Sequence, residues 1–372
     1  MYDLERWLRD PGRRETLAEA VQSGGFVGLR DAKIKITSRC NLRCTMCDYW
    51  KTVDEQALST EAWKRVLGEL VAVGCRKIHV SGGEPFLRRD LLEILAHGAA
   101  LGLKVNLTTN GTLVTREAAR KLVEARVNGV SISLDGPNAS VHDAIRGIEG
   151  SFKRSLRTLR RLRRLSASRA KPLRLRINVV LMRDNYRRAA EMVELGGRLG
   201  VDDVVLMPVD ETEGHRRLSG AQIARYNAEI APAVAEQRRR FGMAERTDRV
   251  HPFGTSEADA KYAKRGLYSR GYFEQNLCFA PWLHTFIAWD GHVYLCCMTT
   301  ERMEPLGNVA RESVDAILRG DRYREVRASF LAGNPHFMCH RCDLFASENR
   351  LLAGEVRVAP PTRGMVRLPV AG

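Results

Sequence analysis

Cys40, Cys44 and Cys47 stand in the pattern C-x3-C-x2-C, directly after the short alternating run Ile34-Lys35-Ile36-Thr37. Three thiols so close in sequence converge on one metal centre if they do chemistry at all. A structural zinc site and an ordinary cysteine-held cluster each take four protein ligands. Three ligands on a [4Fe–4S] cluster leave one iron open, and an open position is where a substrate or cofactor binds. Zinc binding and plain buried thiols are the other uses of the same residues.

More chemistry-bearing residues follow at intervals. Ser81-Gly82-Gly83-Glu84-Pro85 offers two glycines that let a backbone approach a ligand closely, and a carboxylate that accepts from an ammonium group. Thr108-Thr109-Asn110-Gly111, Ser133-Leu134-Asp135-Gly136-Pro137 with His142 to Arg146, and Leu206-Met207-Pro208 come next. Each sits where an extended run ends. The strand candidates are 33–37, 77–81, 104–109, 130–134, 173–181 and 204–207, and helical stretches at 60–73, 91–101, 116–125, 152–165 and 186–199 alternate with them. That rhythm predicts an α/β fold, a parallel sheet curved into a partial (β/α)6 TIM-like barrel. Functional groups in such barrels sit at the C-terminal ends of strands, where all these motifs fall.

Together the motifs resemble the radical S-adenosylmethionine (SAM) superfamily. The resemblance spans about 32–345 and implies that Cys40, Cys44 and Cys47 hold a [4Fe–4S] cluster whose open iron binds SAM. It also implies that Gly82, Gly83, Glu84 and Pro85 hold the methionine amino group. Asn110, Ser133 and Arg146 would contact the ribose and carboxylate, and Met46 and Met207 would pack the adenine. The residue before the third cysteine is often aromatic in this family; here it is Met46, also apolar and adaptable. Reductive cleavage of SAM would give a 5′-deoxyadenosyl radical that takes a hydrogen atom from the substrate. A reducing partner such as flavodoxin or ferredoxin is implied.

Five cysteines return late: Cys278, Cys296, Cys297, Cys339 and Cys342. Residues 282–289 and 292–297 flank Asp290-Gly291 and read as a β-hairpin. The spacing resembles the SPASM/twitch extension and implies one auxiliary [4Fe–4S] cluster held by Cys278, Cys296, Cys339 and Cys342; a zinc ribbon is the alternative. On a strand, successive side chains point to opposite faces, so only one of Cys296 and Cys297 faces the cluster. The spare thiol, Cys297 in this assignment, is a candidate hydrogen-atom donor. Cys75 precedes the second strand and reads as a packed thiol.

The remaining features bound the function. The chain has 372 residues and a net charge of +16, and reads as an N-terminal extension (1–31), a barrel (32–240), an irregular connection (241–277) covering the substrate, a small cluster-binding domain (278–350) and a loose tail (351–372). Asp210, Glu211, Glu213 and His215 follow the sixth strand and could face the barrel mouth; residues 221–241 read as one polar helix. Residues 153–176 hold eleven Lys or Arg and no acid; without interleaved aromatics they read as a solvated face, not a nucleic-acid site. No apolar run is long enough to span a membrane, the N-terminus shows no signal h-region, and cysteine-rich metal chemistry suits the cytoplasm. Residues 1–31 are too short for a leader-binding domain. The expected substrate is therefore a small polar molecule of sugar or aminocyclitol type, undergoing epimerisation or two-electron oxidation; a peptide or protein maturase is the alternative.

Overall fold

The structure, a computed structural model, describes residues 8–356 apart from 53–55, 168, 171, 212, 344 and 345. Most of the expected loose tail lies outside the described residues. Six strands form the core: β1 (Asp31–Lys35), β2 (Lys77–Ser81), β3 (Lys104–Thr109), β4 (Gly129–Ser133), β5 (Arg174–Leu181) and β6 (Asp203–Pro208). Each pairs in parallel with the next. Helices α1 (Pro11–Ser23), α2 (Thr60–Ala72), α3 (Leu91–Ala100), α4 (Arg116–Glu124), α5 (Ala139–Arg146), α6 (Ser151–Ser166) and α7 (Ala189–Arg198) precede β1 or connect the strands. Their starts are written in the sequence: the side chains of Ser59, Thr115 and Asn138 accept from the backbone N–H of Ala62, Ala118 and Val141, capping α2, α4 and α5.

Alternation fixes which side chains face inward. On β2, Ile78 and Val80 are buried against the helices; on β5, Leu175, Ile177, Val179 and Leu181 do the same. The intervening residues point to the other face. Lys33, His79, Thr108, Ser131, Arg176 and Met207, one from each strand, line a single cavity. The sheet therefore curves around a polar bore, as a partial barrel must.

The sheet does not stop at six strands. β7 (His284–Ile287) pairs in parallel with β1, and β8 (His292–Tyr294) and β9 (Gly307–Asn308) extend it with antiparallel pairs, giving the order β6-β5-β4-β3-β2-β1-β7-β8-β9. The late hairpin is thus continuous with the barrel sheet. α1 belongs to this junction: Leu17 and Val21 are fully buried, and the Trp282 indole N–H donates to the Ala20 carbonyl at 3.2 Å.

Three local expectations are corrected. Residues 221–241 are not one helix: Gly220–Arg225 and Ala231–Arg240 flank a π-helical turn at Tyr226–Ile230. Cys296 and Cys297 lie beyond β8, in a turn, so strand alternation does not govern them. A final helix, α8 (Ala346–Glu355), occupies the first residues assigned to the loose tail.

Candidate active site

The loop after β1 carries Cys40, Cys44 and Cys47, and its backbone is pinned from both sides. The Gly83 and Glu84 N–H groups donate to the Thr37 and Arg39 carbonyls at 2.8 and 2.7 Å, while the Arg43 and Thr45 N–H groups donate to Arg146 and Ile145 at 3.1 and 2.9 Å. The two segments lie so close that a Cβ on Gly83 would stand 2.1 Å from the Arg39 carbonyl oxygen. Only glycine permits it. The Asn110 amide donates to the Asn41 side chain at 2.9 Å, tying the end of β3 to the same loop.

A cavity of about 400 Å³ opens at this loop. Cys40, Cys44, Cys47, Met46, Gly82, Gly83, Asn110, Ser133, Arg146 and Met207 all line it. Glu84 and Pro85 do not. Glu84 is fully buried, and its carboxylate accepts from Thr109 Oγ1 at 2.6 Å, from the Asn110 N–H at 2.8 Å and from the Phe86 N–H at 3.0 Å. Its carboxylate ties β2 to β3 behind the wall, so the backbone of Gly82 and Gly83, not this carboxylate, is what the cavity meets. Spacing alone gave no sign of Thr109 and Asn110, which come from the end of another strand.

Arg146 is the buried cation of the site. It pairs with Asp135 at 2.7 Å and approaches the Cys44 sulfur at 3.6 Å. Asp135 also accepts from the Val180 N–H at 2.8 Å. His142 receives the Asp135 N–H on Nδ1 at 3.1 Å; burial, then the Arg146 charge, pushes its pKa down to about 3. Burial pushes the Cys40 thiol up to about 11. Lys35 is buried with its ammonium 3.1 Å from the centroid of the Tyr49 ring, and burial, then Lys33, pushes it down to about 7.

The cavity also has walls the sequence did not announce: Lys33, Tyr268, Arg341 and Asp343. The Tyr268 hydroxyl donates to the Val209 carbonyl at 2.8 Å, so part of the 241–277 connection does cover the barrel mouth. Asp210 lines the cavity and pairs with Arg341 at 2.6 Å and Arg302 at 3.2 Å. Glu211 accepts from the Arg216 N–H at 2.6 Å; Glu213 and His215 are exposed and pair with each other at 3.2 Å, away from the mouth.

The late cysteines separate into two environments. Cys278, Cys296, Cys339 and Cys342 are buried. Burial comes first in raising Cys339, and the neighbouring Cys278 and Cys296 sulfurs add to it. Burial, then Cys297, lifts Cys296 to about 12. The Asn349 amide donates to the Cys278 sulfur at 3.6 Å from α8, a partner the sequence did not suggest. Cys297 is half-buried and faces Lys33; it is not among the residues lining the cavity. Cys75 is fully buried, and its thiol donates to the Lys77 carbonyl at 3.2 Å, a packed thiol.

Among the described residues no group of three or more His, Cys, Asp or Glu side chains is set at the spacing of a single bound ion. The residues at the barrel mouth fit a SAM-bound cluster on other grounds. Three thiols stand at the edge of one cavity, a glycine wall admits a ligand to backbone contact, and a buried guanidinium with an unpartnered Nε faces the cysteine loop.

The fold and this site define a radical SAM enzyme. The chain belongs to the radical SAM superfamily, whose family model matches residues 34–209; a second model, SPASM, described as an iron–sulfur cluster-binding domain, matches residues 278–343. Its cofactors are accordingly SAM, a SAM-bound [4Fe–4S] cluster and auxiliary iron–sulfur in the SPASM segment. Among known proteins it is 35% identical over 171 residues to the PqqA peptide cyclase of Rhodopseudomonas palustris, a match covering 45% of this chain and 44% of that protein. It is 36% identical over 168 residues to an AdoMet-dependent heme synthase of Methanosarcina barkeri, covering 45% of this chain and 46% of the relative. The mycofactocin maturase MftC of Mycolicibacterium smegmatis is 29% identical over 316 residues, 84% of this chain and 74% of its own length. A crystal structure of Streptococcus suis SuiB bound to precursor peptide SuiA shares the fold, with a TM-score of 0.64 at 17% identity over 89% of this chain and 75% of that one. No described helix is long and apolar enough to cross a membrane.

Proposed function

We propose that this chain is a radical SAM maturase acting on a peptide or protein. One observation carries the reading: the relative matched over 84% of the chain, through both domains, is a maturase. The cyclase relative, whose name specifies a peptide, supports it over the shorter span. The expectation of a small sugar-like or aminocyclitol substrate is overturned by these relatives. It rested on the shortness of residues 1–31, which bears on leader binding and says nothing about what enters the barrel.

When bound, the cluster and SAM supply a radical able to take hydrogen from an unactivated carbon. The chain's residues position and exclude. Cys40, Cys44 and Cys47 would hold the cluster; the Gly82–Gly83 backbone, Asn110, Ser133 and Arg146 would seat SAM, with Met46 and Met207 against its adenine. Tyr268, Arg341 and Asp343 close the mouth. Cys278, Cys296, Cys339 and Cys342 would hold the auxiliary cluster. We favour an oxidative outcome, cyclisation or cross-linking, over epimerisation, because the spare thiol Cys297 lines neither this cavity nor the bore.

The test is mass spectrometry of short peptides encoded beside the gene, after incubation with anaerobically reconstituted protein, SAM and dithionite. A peptide two hydrogens lighter, formed only with SAM, is expected. SAM consumption coupled to change in a sugar or a tetrapyrrole, with every peptide untouched, would overturn the reading.

A further inference from the structure

The cysteine cavity continues into a second one of about 370 Å³ inside the barrel; both are lined by Lys33, Ser81, Thr108 and Met207. Deeper in this bore stand His79 and Arg176, on the inward faces of β2 and β5. Arg176 closes the long basic run 153–176, but unlike the arginines of α6 it lines the bore. Its Nε is buried without a partner, and among the described residues it makes no ion pair. The carboxylate opposite it in register, Asp203, is already taken by Arg238 at 2.7 Å and Arg249 at 3.4 Å. Other charges of the bore are also engaged: Asp31 with His284 at 3.0 Å, and Arg270 with Asp259 at 3.2 Å.

A half-buried guanidinium without a counter-ion gains when something anionic joins it. Its planar fork suits a carboxylate, which it binds through two parallel hydrogen bonds. His79 stands at the same place, with Nε2 2.8 Å from Thr108 Oγ1. Burial, then Lys33, Lys77 and Arg176, pushes its pKa down to about 3. Three cations thus bear on one neutral imidazole, with Asp31 acting against them, so the charge around His79 is net positive although Asp343 and Glu348 also line the bore.

Resting on the peptide reading above, we propose that the bore is a carboxylate subsite, in which Arg176, with His79 and Lys33 beside it, holds an acidic side chain or the C-terminal carboxylate of the peptide. An anchored carboxylate would fix which neighbouring residue reaches the cysteine cavity. That makes Arg176 a specificity-determining residue and gives it no part in SAM cleavage.

The experiment uses reconstituted full-length protein and four probes in calorimetric titration. N-acetylglutamate α-amide carries only a side-chain carboxylate and N-acetylglutamine only an α-carboxylate; N-acetylglutamate carries both and N-acetylglutamine amide neither. At least one singly charged probe should bind, the neutral one should not, and Arg176→Gln should weaken binding about tenfold or more. Arg176→Lys should restore part of it, and Arg160→Gln on the solvated helix should change nothing. Which singly charged probe binds identifies the source of the carboxylate. Equal binding by wild type and Arg176→Gln, or no preference for carboxylate over amide, would overturn the subsite. SAM cleavage by each variant shows that its cofactor site is intact. Arg176-dependent binding of a carboxylate, in a protein that modifies no peptide, would leave the subsite standing and sink the peptide reading alone.

Discussion

The Arg146 guanidinium approaches the sulfur of Cys44 at 3.6 Å. Its other nitrogen pairs with Asp135 at 2.7 Å, and the Arg146 carbonyl accepts the Arg43 N–H at 3.1 Å. One residue thus links the cysteine loop, the end of β4 and the cavity those cysteines line. We expect Arg146→Met to leave Asp135 buried and uncompensated, costing about 3–5 kcal/mol in the metal-free protein. Iron retention at the first site should fall with it. Adding Asp135→Asn should recover part of the stability without recovering the iron. Denaturant melts and iron analysis check this; a single variant as stable as wild type would refute it.

Glu84 gives a sharper distinction. Its carboxylate is held by Thr109, Asn110 and Phe86. Glu84→Ala should therefore destabilise the protein before any cofactor is added, by about 2–4 kcal/mol, since three donors lose their acceptor. A residue whose task was to hold the SAM amino group would leave the melting of the metal-free protein unchanged and weaken only SAM binding.

The motifs at strand ends were legible because a parallel sheet puts them all on one rim, and period-two burial shows six strands directly. What was not legible depends on partners distant in the chain. Nothing near His284 says that β7 will pair with β1, since a hairpin signal is local and the choice of sheet edge is tertiary. Arg176 reads as the end of a basic run, and only the pleat of β5 separates it from the solvated arginines of α6. Glu84 sits in a ligand-like motif but is claimed by β3. Cys296 and Cys297 were assigned to a strand because the hairpin pattern runs into them, yet the chain turns after Tyr294.

Acid should weaken the protein through His142. Its folded pKa, about 3, lies below the ordinary value of 6.5, because burial and then Arg146 oppose the charge. Between those values the unfolded chain binds a proton that the folded imidazole does not. Stability is therefore full above about pH 6.5 and falls as pH drops toward 3. His142→Asn keeps an acceptor for the Asp135 N–H and removes the titration. We expect the variant to lose on the order of 2–4 kcal/mol less stability than wild type between pH 7 and pH 4. Parallel pH profiles from urea melts of the metal-free proteins would contradict this; His79 contributes to both equally.

The adjacent cysteines make the last prediction. Cys296 is buried beside Cys278 and Cys339, whereas Cys297 is half-buried against Lys33 and lines neither cavity. With two [4Fe–4S] clusters the reconstituted chain should hold about eight irons. Replacing Cys40, Cys44 and Cys47 by Ala should abolish SAM cleavage and leave about four irons, those of the second site. Cys296→Ala should lose that second site instead, while SAM cleavage continues. Cys297→Ala should keep all the iron. If Cys297 returned a hydrogen atom to the substrate, product made in deuterated water would carry one deuterium at the altered carbon, and the Ala variant would not form it. An oxidative reaction needs no such return. The expected result is an unlabelled product, two hydrogens lighter, made equally by wild type and Cys297→Ala; deuterium in the wild-type product, lost with the thiol, would assign Cys297 the role its place in the fold argues against.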